Sequence, residues 1–117
     1  MIWGSKSTTT VHDVTEFRSI LHREYHRSNR YGKAFSCIVF KTDEVEGSQS
    51  FNRKLVKAIS SRIRSVDQTG WYNSKDIGVL LVGADTENAK KVARDVLDRF
   101  PPVRRAPSFA VYSHSSF

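Results

Sequence analysis

Cysteine, proline, glycine and methionine are scarce in this 117-residue chain, with one, three, six and one of each. A single cysteine, Cys37, excludes a disulfide framework, and its place inside an apolar run reads as a buried thiol in a reducing, cytoplasmic compartment. Nothing near it in sequence would activate it as a nucleophile. No apolar stretch is long enough to cross a bilayer. Polar residues begin at Gly4, which leaves no secretory core segment. Too few glycines cluster to form a phosphate-binding loop. Acidic residues are also few: 12 against 19 lysines and arginines, a net charge of +7.

Such a charge points first to a nucleic-acid partner. The positive residues, however, are spread over three helical segments, which reads as solvated basic faces and disfavours nucleic acid. The densest group is Arg18, His22, Arg23, His26, Arg27, Arg30 and Lys33. His22 and His26 share a helix face at metal-ligand spacing, but no supporting carboxylate or cysteine lies near, and Arg23 and Arg27 flank them. No metal or other cofactor is expected.

Aromatic and branched residues are frequent enough for one domain with a real core. Residues 1–12 read as a flexible lead-in and 13–117 as a single domain. Asp13 and Glu16 form a capping box, and Val14, Phe17, Leu21 and Tyr25 then share a face, with Ile20 beside them. Gly32 suits the helix end. Residues 34–40 read as a central strand, and 42–50 as an acidic loop. A second helix is expected over 50–64 on the stripe Phe51, Leu55, Ile59 and Ile63. Trp71-Tyr72, the turn Asn73-Ser74-Lys75-Asp76, and the apolar run Ile77–Val82 read as a β-hairpin. A third helix follows Asp85, with Ala89, Val92, Ala93, Val96, Leu97 and Phe100 inward, stopped by Pro101-Pro102. Beyond a basic link at Arg104-Arg105, Phe109–Tyr112 closes the chain as a strand. This order predicts an α+β fold: a ferredoxin-like βαββαβ core, four antiparallel strands with helices packed on one face, and an extra N-terminal helix. That extra helix would pack beside the others or mediate assembly.

Four stretches in this order resemble the GGDEF domain of bacterial diguanylate cyclases. They are Arg30–Ser36 leading into a strand, Arg64-Ser65-Val66-Asp67 before a hairpin, Val79-Leu80-Leu81 after it, and the helix opened by Asp85-Thr86-Glu87. The resemblance implies that the hairpin turn carries the family's Gly-Gly-Asp/Glu-Glu-Phe positions. Here they are Asn73, Ser74, Lys75, Asp76 and Ile77. It implies metal-binding carboxylates at positions 41 and 75, both lysine in this chain, while Asp43 matches a later acidic position. Ammonium groups cannot replace the oxygen ligands of magnesium. The loop that would hold guanine is short. The expectation is a degenerate, catalytically inactive domain rather than an enzyme.

Arg64-x-x-Asp67 matches the family's inhibitory site, which implies cyclic di-GMP as a ligand. The same residues also read as a helix-end cation with a turn-forming carboxylate. The pattern from Asp67 to Leu81 further resembles compact domains fused to bacterial sugar transferases of exopolysaccharide synthesis. The partner is then expected to be another protein domain or a second copy.

Overall fold

The elements run β1 (Val11–His12), α1 (Val14–Tyr31), β2 (Phe35–Lys41), α2 (Gln49–Ser60), β3 (Gln68–Trp71), β4 (Ile77–Val82), α3 (Thr86–Arg99) and β5 (Ser108–His114). They come from a computed structural model that describes residues 10–42, 49–100 and 107–114. The expected acidic loop at Asp43, Glu44 and Glu46, the Pro101-Pro102 stop and the Arg104-Arg105 link lie outside the described residues.

The sheet order is β1-β3-β4-β2-β5. β3, β4, β2 and β5 are antiparallel neighbours, as the βαββαβ pattern predicts. A fifth strand corrects the expected four. Val11 and His12 pair parallel with Thr69 and Gly70, so the lead-in gives way to structure before residue 13. Two residues are too short to show any periodicity, and tertiary bonds hold them. His12 Nε2 lies 2.9 Å from Gln68 Oε1, and Nδ1 lies 3.2 Å from the Glu16 carboxylate.

β2 is buried on both faces because its alternating residues serve two cores. Ile38 and Phe40 join Ile77, Val79 and Leu81 against α2 and α3. Phe35, Cys37 and Val39 join Leu80 beneath Phe17 and Ile20 of α1. The two core helices therefore share one face, as expected, and α1 covers the opposite one. Gly70 and Gly78 sit opposite each other in the β3–β4 ladder. A Cβ at either would come within 2.5 or 2.7 Å of the Phe17 ring. The paired glycines thus form a dent in the sheet that admits the aromatic side chain.

Local signals set the helix ends. Asp13 Oδ1 accepts from the Glu16 N–H at 2.8 Å, and Asp85 Oδ1 accepts from the Asn88 N–H at 2.8 Å. Gly32 is left-handed at φ 69°, and its N–H donates to the Ser28 carbonyl. Two boundaries depart from the periodicity. α2 stops at Ser60 rather than near residue 64. The Ser60 and Ser61 hydroxyls bond the Val56 and Ala58 carbonyls, and Arg62 N–H turns back to Ile59. On α1 the buried stripe runs Phe17, Ile20, Glu24 and Ser28, which leaves Tyr25 45% exposed rather than in the core.

Candidate functional site

The hairpin between β3 and β4 places the residues matched to a catalytic turn. Tyr72 N–H donates to the Asp76 carbonyl at 2.9 Å, and the Asn73 side chain organises what lies between. Asn73 Oδ1 accepts from the backbone N–H groups of Lys75 and Asp76 at 2.8 and 2.7 Å. Asn73 Nδ2 donates to Asp76 Oδ2 at 3.0 Å. The turn closes with every non-glycine residue at negative φ.

Lys41 ends β2 beside this turn. Its neighbour Thr42 makes the join: the Thr42 N–H donates to Asp76 Oδ1 at 3.3 Å, and its hydroxyl donates to the Lys75 carbonyl. The strand end and the hairpin tip therefore meet. Asp76 is buried, whereas Ser74 and Lys75 are exposed. The carboxylate is satisfied by neutral donors from Asn73 and Thr42 instead of pairing with Lys41 or Lys75. Asp43, the remaining residue of the matched set, lies outside the described residues. Thr42 carried no sequence signal, because its partners lie more than thirty positions away.

The second predicted site is a clasp. Arg64 lies in the loop between α2 and β3 rather than on a helix end. Its Nη2 donates to Asp67 Oδ1 at 3.0 Å and its Nε to Oδ2 at 3.2 Å, a forked ion pair. Asp67 also accepts from the Arg64 backbone N–H at 3.0 Å and from Val82 N–H at 3.2 Å. Arg64 Nη2 reaches the Val82 carbonyl at 2.6 Å. The pair thus anchors the loop to the end of β4. The Asp67 side chain is only 2% exposed, whereas that of Arg64 is 60% exposed. Arg64 stands between two clefts of about 190 and 500 Å³, the first floored by Leu81 and Val92, the second by Ile20 and Leu80.

Other candidates are placed as follows. The Nε2 atoms of His22 and His26 lie 3.1 Å apart on the exposed side of α1. Among the described residues, no three His, Cys, Asp or Glu side chains converge as a metal site. Burial pushes the Cys37 thiol up to about 12, partly offset by its hydrogen bond with the Val79 backbone. Asp95 is held below the usual carboxylate range by its hydrogen bond from Arg62 at 2.8 Å. No helix among the described residues is long and apolar enough to cross a membrane.

No family profile and no curated protein matches the sequence. Solved structures match in fold. A DGC protein from Thermotoga maritima superposes with a TM-score of 0.72 at 16% identity, covering 94% of this chain and 85% of that one. The diguanylate cyclase SiaD of Pseudomonas aeruginosa, solved with its activator SiaC, gives 0.64 at 19% identity, over 86% of this chain and 45% of that one. The GGDEF domain of DgcB from Caulobacter crescentus, solved with c-di-GMP, gives 0.62 at 11% identity, over 99% and 80%. The chain has the fold of the GGDEF domains of diguanylate cyclases.

Proposed function

We propose that this chain is a catalytically inactive GGDEF-fold domain with a regulatory or interaction role. It would be one part of a larger bacterial signalling or exopolysaccharide-synthesis protein, such as a sugar transferase. The hairpin tip carries the reading. Lysines hold positions 41 and 75, and both oxygens of Asp76 are engaged by Asn73 and Thr42. Magnesium demands oxygen ligands, so this donor set does not fit it. Asn73 and Ser74 also stand where glycines would leave the backbone open to the close approach of a phosphate. SiaD, 45% of whose chain matches this fold, was solved in complex with its activator SiaC, a precedent for a protein partner of a protein that carries the fold. The transferase setting rests on the Asp67–Leu81 pattern.

The test is incubation of the chain with GTP and magnesium, with the products read by mass spectrometry. No cyclic di-GMP is expected. Lys41→Asp with Lys75→Glu should restore weak metal binding at most and no turnover. Diguanylate product from the unmodified chain would overturn the proposal.

A second reading, a cyclic di-GMP receptor, is favoured by the exposed guanidinium of Arg64 beside two clefts. It requires the clasp to open, because Asp67 already accepts four N–H groups. Calorimetry showing no heat at ligand concentrations of about 100 μM would exclude it in a physiological range.

A further inference from the structure

The α1 face of the sheet is not fully covered. Between α1 and β5 a cleft of about 300 Å³ remains, lined by Leu21, Tyr25, Phe35, Cys37, Tyr72 and Tyr112, with His22 and His114 at its rim. Its origin lies in the strand register. Across the sheet, Gly78, Val39 and Ala110 form one row of small or short side chains. Tyr72 leans over that row from the β3 side and meets Tyr112 of β5. Their rings are parallel to within 5°, with centroids 6.3 Å apart. Tyr25 closes the wall from α1, its ring 4.5 Å from that of His114. Tyr112 and Tyr25 are about half exposed, at 52% and 45%, beside an otherwise buried face.

Two cations, Lys41 and Arg18, stand on this side of the sheet, which also buries Glu24 of α1. Lys41 follows Cys37 and Val39 by strand alternation, so it stands on the side of the sheet that carries the cleft. Arg18 precedes His22 by four positions and Tyr25 by seven, which places it on the helix face that forms the wall. Both cations are near enough to affect the Tyr72 phenol. Burial raises its pKa most, Cys37 and Tyr112 raise it further, and Lys41 and Arg18 draw it back.

We propose that this cleft is a nucleotide-binding site, in which a planar base stacks on Tyr72 and Tyr112 and the phosphate meets Lys41 and Arg18. The volume lies at the small end of the range for ligand sites, and its lining is apolar with few polar groups. The two parallel rings present a stacking platform already aligned, and tyrosine loses little side-chain entropy on contact. Basic residues beside exposed aromatics suit a ligand that is both flat and anionic. The cleft lies on the opposite sheet face from α2 and α3, and its lining uses neither the hairpin turn nor Arg64 and Asp67; of the hairpin-tip set it shares Lys41 alone.

The test is titration of the full chain with GMP and AMP, followed through the tyrosine aromatic resonances by NMR, with inorganic phosphate as the control. Saturable shifts of Tyr25, Tyr72 and Tyr112 with either nucleotide are expected. Tyr112→Ala should weaken binding by roughly fivefold or more, since a stacked ring carries that much. Tyr112→Phe should stay within about twofold, because the ring face is kept. Arg18→Gln should weaken binding and flatten its salt dependence. Circular dichroism and melting of each variant check that the fold is intact; Tyr112 and Arg18 are exposed, so both should match the wild type. The proposal is overturned if no saturable shift appears at about 10 mM nucleotide, an affinity too weak for a dedicated site. It is also overturned if phosphate alone reproduces the shifts, or if they follow protein concentration alone, which would mark the cleft as a contact between two copies.

Discussion

Removing Asp67 should destabilise the domain more than removing Arg64, although the two form one ion pair. Asp67→Ala takes the acceptor from two backbone N–H groups, those of Arg64 and Val82, as well as from the guanidinium. Each orphaned backbone donor costs about 1–3 kcal/mol when water cannot replace the partner. The freed guanidinium is 60% exposed and rehydrates, and it keeps its bond to the Val82 carbonyl, so it adds little. The expected loss is about 2–4 kcal/mol. Arg64→Ala leaves Asp67 with both backbone donors, and a largely exposed cation contributes less, so about 1–2 kcal/mol is expected. For a 117-residue chain each kcal/mol moves the melting temperature by about 4 °C. Asp67→Ala should then melt about 8–16 °C below the wild type and Arg64→Ala about 4–8 °C below. Urea unfolding of both variants, at constant ionic strength and with unchanged m-values, measures the two losses. If Arg64→Ala costs as much as Asp67→Ala, the carboxylate is held by the arginine rather than by the backbone, and the clasp argument fails.

Gly70→Ala should cost about 1–3 kcal/mol, because its Cβ would press on the Phe17 ring and the core has no slack there. Combining it with Phe17→Leu should recover part of that loss in urea unfolding, and a neutral Gly70→Ala would show that the ring does not fill the dent. Cys37 should resist a thiol-specific disulfide reagent in the native chain at pH 8 and react fully in denaturant, since burial holds the thiol protonated up to about 12. Its folded value is raised, so its stabilising effect is complete below the ordinary value of 9.0 and is lost as pH rises toward 12. Between those limits the wild type should lose about 1.4 kcal/mol per pH unit more than Cys37→Ala, and equal slopes would contradict the burial.

The residues by themselves determined what depends on near neighbours. Asp13, Gly32 and Asp85 announce helix ends because a cap bonds a backbone group within a few positions. The Ile77–Val82 run announces a strand buried on both faces because only such a strand tolerates an unbroken apolar sequence. The lysines at 41 and 75 and the missing turn glycines are equally plain in the sequence, since they are questions of residue type alone. The tertiary structure decided which elements meet. β1 exists only because β3 offers it an edge, and a pair of residues has no period to read. α1 crosses to the opposite face because Phe17 fits the Gly70–Gly78 dent, which forms only once β3 and β4 are in register. Tyr25, pointed inward by helical spacing, stays at the surface because the helix buries Glu24 and Ser28 instead. Arg64 and Asp67 become a clasp through Val82, fifteen positions beyond Asp67. Tyr72 and Tyr112 come together across two intervening strands. Spacing along a chain carries the hydrogen bonds of one element, whereas contacts between strands depend on register, and register is fixed only when the faces pack.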